Sequence, residues 1–259
     1  MSSFEEVPAG RPLRHRQFVG GCWEELGELQ FTFLVKEGLR PEHVFLDVGC
    51  GSLRGGVHFV RYLDRCHYFG LDSNEELLDA GRRELEEVGL DPGAATLVRD
   101  DAFRFDRFGA RFDLALAHSV FTHLPLNAIM RCLGELERVL VPGARFFATF
   151  FPSAGPRLGT DSFRPYPSIT THVDRDPYHY DPDVFRWAVE GSTLACELVG
   201  EWGHPRGQQM LRFTKDGSLP RLQRSSSLRQ TSRSEAFGEV RISARGVPSR
   251  ANRPCARKP

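Results

Sequence analysis

Nothing in the 259 residues approaches the ~20 uninterrupted apolar residues that a membrane-crossing helix needs, and the Phe-rich stretch 146–151 is far too short. The first residues, MSSFEEVPAGRPLRHR, contain two early glutamates and no apolar core, so they lack the pattern of a secretory signal. The six cysteines, at 22, 50, 66, 132, 196 and 255, form no C-x-x-C pair, and no His/Cys group has zinc-ligand spacing. A disulfide scaffold and a zinc module are therefore excluded; reduced structural thiols and a cytoplasmic protein are expected. There is no internal repeat, and no net charge, with 34 basic against 34 acidic residues. What is present is ordinary globular usage, 40% apolar and 26% charged, enough to build a core. The length fits one large domain with extensions.

The balanced charge hides an asymmetry. From Ser218 onward there are ten Arg/Lys and two Glu, a net of +8, which leaves residues 1–217 at −8. An acidic body lacks the clustered Lys/Arg that a polyphosphate backbone demands, so a nucleic-acid partner is expected only through the tail, if at all. Three zones follow. Residues 1–42 read as a helical lead-in, with Trp23, Leu26, Leu29, Phe33 and Leu34 near helical spacing and Gly38 as a stop. Residues 43–217 form the body. Residues 218–259, rich in Arg, Ser, Gly and Pro, read as a disordered basic tail that the body does not need.

Within the body, strand and helix signals alternate. Strands are expected at 43–49, 67–72, 95–100, 112–119 and 144–151, with two closing strands in TLACELVGEW and QQMLRFT. Ser73 with Glu76 has capping-box form, opening a helix with Leu77, Leu78, Gly81, Leu85 and Val88 on one face. Pro125 opens another, carrying Leu126, Ile129, Met130, Leu133, Leu136 and Leu140, and Asp181-Pro182 a third. Alternation over this length predicts an α/β, three-layer Rossmann-like sandwich around a mainly parallel sheet.

Such sheets bind ligands beyond the carboxyl ends of their strands. The loop after the first strand, Asp47-Val48-Gly49-Cys50-Gly51, lets the backbone turn sharply and a ligand approach closely. Asp72, followed by Ser73, is placed for the hydroxyls of a ribose. A carboxylate after the third strand, at Asp100-Asp101-Ala102, can accept from an exocyclic amine, and His118-Ser119 follows the fourth strand. A dinucleotide loop, G-x-G-x-x-G/A, would need Gly or Ala where Arg54 stands, and no P-loop string exists. The acidic Asp47 before the glycines disfavours a pyrophosphate but suits a cofactor with an ammonium and a sulfonium cation.

These residues resemble the class I S-adenosylmethionine-dependent methyltransferases. The similarity spans about residues 40 to 215, carried by VFLDVGCGSLRGG, YFGLDSN, RDDAF, RFDLALAHSVFTHLP and PGARFFATF. It implies a seven-stranded sheet in the order 3-2-1-4-5-7-6 with one antiparallel strand. It also implies S-adenosyl-L-methionine as cofactor, with Asp47, Gly49 and Gly51 at its methionine part and Asp72 (with Ser73) at the ribose. Asp101 and Ala102 would lie at adenine, and His118 beside the methionyl group. This chain departs where the family often has a third glycine: Leu53 stands there, with Gly55 two residues later. Arg54 between them either pairs with the cofactor carboxylate or points to solvent. An NAD(P)-binding oxidoreductase and a non-catalytic cofactor-binding scaffold are the alternative functions.

Methyl transfer needs a nucleophile held in line with the carbon–sulfur bond, and a base only if that nucleophile arrives protonated. His118, His123, His172 and His179 are the candidate bases. The long connection 152–180, with His172, Asp174, Tyr178 and His179, is expected to supply substrate contacts, and Trp202-Gly203-His204-Pro205-Arg206-Gly207 is a second candidate edge. After the fourth strand His118-Ser119-Val120-Phe121 replaces the N-P-P-[YF] loop associated with amine methylation of nucleic acid or glutamine. A small-molecule acceptor, methylated on oxygen or nitrogen, is expected.

Overall fold

The computed structural model describes residues 14–153, 163–166, 169–172 and 175–217. The tail and Asp174 lie outside the described residues. The elements run α1 (Arg14–Phe18), α2 (Trp23–Lys36), β1 (Phe45–Val48), α3 (Gly56–Tyr62), β2 (Tyr68–Asp72), α4 (Glu75–Glu87), β3 (Ala95–Arg99), β4 (Phe112–Ala117), α5 (Leu126–Val139) and β5 (Leu140–Pro152). Then come β6 (Phe163–Tyr166), β7 (Ile169–Thr171), β8 (His179–Tyr180), α6 (Asp183–Ala188), β9 (Leu194–Gly200) and β10 (Gln209–Lys215).

The main path of the sheet is β3-β2-β1-β4-β5-β10-β9, with β10 antiparallel to both neighbours. This is the order the sequence implied, with one addition. His179–Tyr180 pairs in parallel with the end of β5, making eight strands, and β6 and β7 form a separate hairpin inside the long connection.

Period-two alternation puts successive strand residues into two cores. Leu46, Ala115, Phe146 and Phe150 face α5 and α6, joining Ile129, Leu133, Leu136 and Phe185. Phe45, Leu114, Leu116 and Phe147 face the other layer, joining Leu34 of α2, Phe59 of α3 and Leu78 and Leu85 of α4. Each buried Phe or Leu contributes about 1.5–3 kcal/mol, so the two faces hold the sheet rigid under its loops. At the C-terminal end of α2, Gly38 takes φ +89°; its N–H donates to Val35 O and that of Leu39 to Leu34 O, a closure that needs the left-handed residue.

Several local expectations shift. The cap of α4 is Asn74, not Ser73: the Asp72 carboxylate accepts from the Asn74 N–H at 2.9 Å, and Asn74 in turn accepts from Glu76 N–H at 2.9 Å. On α4, Val88 falls at the C-cap and is exposed, while Glu84 is buried. That burial has a cause, since α1 lays Arg16 on Glu84 in a bidentate pair at 2.6 and 2.7 Å. On α5, Met130 is exposed and Cys132 takes the core position. Strand β5 begins at Leu140, not 144, and α6 begins at Asp183, whose N–H donates to Asp181 at 2.9 Å. No helix among the described residues is long and apolar enough to cross a membrane.

Candidate functional site

The loops after β1 to β4 converge on a cavity of about 970 Å³ at the carboxyl edge of the sheet. Of the residues singled out by sequence, Asp47, Gly49, Gly51, Asp72, Ser73, Asp101, His118 and His123 line it. Ala102, His172 and His179 are not among its lining residues.

The glycine loop is shaped by contact. Gly49 has φ +68°, and a Cβ there would lie 2.5 Å from Val120 Cγ2; Gly51 has φ +55°. Leu53, at the position of the missing third glycine, also adopts a left-handed backbone, φ +67°, with a fully buried side chain. The chain thus keeps the left-handed geometry without the glycine, at a cost of about 1–2 kcal/mol, and fills the space under α4 with leucine. Phe103 and Ser119, both lining the cavity, are left-handed as well. Gly49→Ala is expected to lower the unfolding midpoint by the equivalent of about 1–3 kcal/mol, from the positive φ and the Val120 contact together; denaturant melts check it.

Each carboxylate has a distinct environment. Asp47 is buried and accepts from the Tyr68 hydroxyl at 2.7 Å. Burial pushes its carboxyl up to about 7, although Tyr68 pulls the other way. Asp72 accepts from Gly51 N–H and Asn74 N–H, both at 2.9 Å, so it shapes the glycine loop and the start of α4 at once. Burial raises it, while the N–H groups of Asn74, Gly51 and Ser73 oppose the rise. Asp100 and Asp101 differ sharply in burial. Asp100 is buried and saturated by Ala102 N–H, Arg104 N–H and the Arg104 and Arg107 guanidiniums. Burial alone would raise it, but those donors hold it down at about 2. Asp101 is exposed and lines the cavity, with Arg99 Nη2 3.8 Å from its Oδ2. Ala102 is occupied instead in the turn, its N–H committed to Asp100 at 2.7 Å.

Arg54 does not point to solvent. It is 9% exposed, and Nη1 donates to the carbonyls of Val19 (2.9 Å) and Gly21 (3.0 Å) while Nη2 reaches His118 Nδ1 at 3.1 Å. Arg206 similarly donates to Gly20 O. Phe18, Val19 and Gly20, from the lead-in, thereby form one wall of the cavity. His118 is buried, and burial first, then the charge of Arg54, keeps its imidazole neutral.

On the wall formed by the turn after β4, His123 Nδ1 meets Asp176 Oδ2 at 2.5 Å. The segment bearing Asp176 is fixed to that turn: Tyr178 N–H donates to Thr122 O at 2.8 Å and the Tyr180 hydroxyl to Leu124 O at 2.5 Å. His179 is instead stacked on Phe151 and bonded to Thr171 Oγ1 at 2.8 Å. Asp176 is the residue sequence reasoning missed; it lies 53 positions from His123, with no local pattern to mark it.

Residues 45–143 match the family model described as a methyltransferase domain. Solved structures share the fold. A magnesium protoporphyrin IX methyltransferase from Synechocystis PCC 6803, crystallised with bound S-adenosylmethionine, is 14% identical, covering 80% of this chain and 86% of its own, with TM-score 0.54. An S-adenosylmethionine-dependent methyltransferase from Clostridium acetobutylicum ATCC 824 is 11% identical over 78% and 95%, TM-score 0.58. The CcbJ methyltransferase from Streptomyces caelestis is 15% identical over 73% and 89%, TM-score 0.57. The match places a methyltransferase domain at residues 45–143, on the fold shared with these S-adenosylmethionine-dependent methyltransferases. The cavity walls fit the cofactor of that fold, S-adenosylmethionine, chemically. Buried Asp47 suits an ammonium, Asp72 keeps acceptor capacity for hydroxyls beyond its two N–H bonds, and exposed Asp101, held only by Arg99 at 3.8 Å, keeps acceptor capacity for an amine.

Proposed function

We propose that the protein transfers a methyl group from S-adenosylmethionine to an oxygen or nitrogen atom of a small molecule. The observation that carries this is the convergence of Asp47, the Gly49–Gly51 turn, Asp72 and Asp101 on one cavity that His123, bonded to Asp176, also lines. Asp47 and the glycine turn receive the methionyl part, Asp72 with Ser73 the ribose, and Asp101 the adenine. The cofactor, when bound, supplies a methyl on a sulfonium; the protein's task is to orient the acceptor, exclude water and take up a proton.

His123 is the base of this reading. With Asp176 accepting from Nδ1–H, the ring presents Nε2 as a proton acceptor, and the side chain is 59% exposed where an acceptor can reach it. His118 is unsuited to that role because its Nδ1 is committed to a guanidinium that only donates. The basic tail plays no part in this reading, and its working unit is the domain at 43–217 together with the lead-in that walls the cavity.

Titration calorimetry with S-adenosylhomocysteine, NADH and ATP tests the reading. Binding of the first alone is expected, whereas NADH binding without it points to an oxidoreductase. The same titration yields a second expectation. In the free protein the Asp47 carboxyl, held up at about 7, is largely protonated below that pH. An ammonium brought beside it favours the carboxylate, so ligand binding releases protons at pH below about 7. Heats measured in buffers of different ionisation enthalpy show this release, and Asp47→Asn removes it.

A further inference from the structure

Six buried side-chain polar atoms among the described residues have no hydrogen-bond partner, and three of them, Arg54 Nε, His118 Nε2 and His204 Nε2, lie buried behind one wall of the cavity. All three are donors. A guanidinium cannot accept, so His118 Nδ1 must accept from Arg54 and the ring carries its proton on Nε2. His204 Nδ1 likewise accepts from the Arg206 backbone N–H at 3.2 Å, which puts its proton on Nε2 too. The rings stand 5.3 Å apart, wedged by Trp202, and each of the three side chains is nine-tenths or more buried.

Gln208 extends the pattern. Ser119 N–H donates to Thr149 Oγ1, whose hydroxyl then donates to Gln208 Oε1 at 2.6 Å, and Ser119 Oγ adds a second bond to the same oxygen. The Gln208 amide is therefore turned with its NH₂ toward other partners, and Gln208 lines the cavity. Arg54, His118 and Arg206 line it as well, with His204 against His118. Both guanidiniums donate only to neutral carbonyls and to an imidazole, with no ion pair among the described residues. Two positive charges and the Gln208 amide thus line one wall with no salt-bridged counterpart among the described residues, Asp47 acting on Arg54 only through space, an arrangement complementary to an oxyanion.

We propose that this cluster anchors the methyl acceptor through an anionic oxygen, so that the acceptor is a small molecule bearing a carboxylate or phosphate apart from the atom that is methylated. The proposal rests on the methyltransferase reading above and narrows its substrate class. Arg54, Arg206 and Gln208 grip the anion, and the neutral rings of His118 and His204 stand buried behind them, where they sense it.

The test uses the full chain saturated with S-adenosylhomocysteine, titrated calorimetrically with benzoate and with inorganic phosphate, and with uncharged benzamide as control. Saturable binding of at least one anion, none of benzamide, and a loss of at least about tenfold in Arg206→Gln with homocysteine-compound affinity unchanged are expected. The better-bound anion separates a carboxylate-bearing from a phosphate-bearing acceptor. In the wild-type chain, nitrogen-15 spectra of labelled histidine follow the side-chain N–H signals of His118 and His204. These shift with the anion and not with benzamide, a readout that holds even if Arg206→Gln folds poorly. Three results overturn the proposal. They are absence of anion binding to the loaded protein, anion binding that leaves both histidines and Arg206→Gln unaffected, and displacement of the homocysteine compound by the anion, which assigns the cluster to the cofactor's own carboxylate. Failure of the loading step itself, before any anion is added, refutes the methyltransferase reading instead.

Discussion

Asp72→Ala is expected to weaken S-adenosylhomocysteine binding about ten- to a hundredfold, the equivalent of about 1.5–3 kcal/mol. Two losses combine. The ribose hydroxyls lose an ionised acceptor, and the Gly51 and Asn74 N–H groups lose the carboxylate that fixes the glycine loop against the start of α4. Asp72→Asn separates them, because an amide oxygen can still accept from one N–H but offers neither charge nor a second acceptor. Its affinity should fall between those of the wild type and the alanine variant. An unchanged dissociation constant in Asp72→Ala, with the fold intact by circular dichroism, contradicts the placement of the ribose.

The second large effect concerns turnover. His123→Ala should slow methyl transfer about 10²–10⁴-fold for an acceptor that arrives protonated, while affinity for S-adenosylhomocysteine stays the same. Asp176→Asn should slow transfer less, because the histidine remains but its Nδ1–H loses an ionised partner. The affinity control matters here: a variant that loses cofactor binding as well has lost its structure, not its base. If His123→Ala keeps full turnover, the acceptor arrives deprotonated or another group takes the proton.

Most of the fold was legible because strands and helices sort apolar residues by different periods. Phe45 and Leu46, adjacent in sequence, enter opposite cores, and Ile129, Leu133 and Leu136 form one stripe of α5. The order of the loops also implies the cavity they line, since a parallel sheet brings its carboxyl-end loops to one edge. What stayed hidden depends on partners distant in sequence. Glu84 has the pattern of a surface residue on α4 until Arg16, 68 positions away, covers it. Arg54 offered two roles by spacing and took a third, because its partners at 19, 21 and 118 belong to other elements. The shift of the α4 cap from Ser73 to Asn74 has a local cause, the Asp72 carboxylate closing its own turn, which competes with a capping box of equal quality in sequence. The turn in which Asp100 takes the Ala102 N–H is likewise unmarked by spacing.

The central claim is that this cavity transfers methyl groups, and the most direct measurement follows the methyl itself. The full chain is incubated with S-adenosylmethionine carrying a tritiated methyl group and a metabolite extract, and label in small molecules is counted against S-adenosylhomocysteine formed. Label appearing in small molecules in equal amount to the homocysteine product, and lost in Asp72→Ala, is the predicted result. Tight S-adenosylhomocysteine binding with no label transferred would contradict the account and leave a cofactor-binding scaffold.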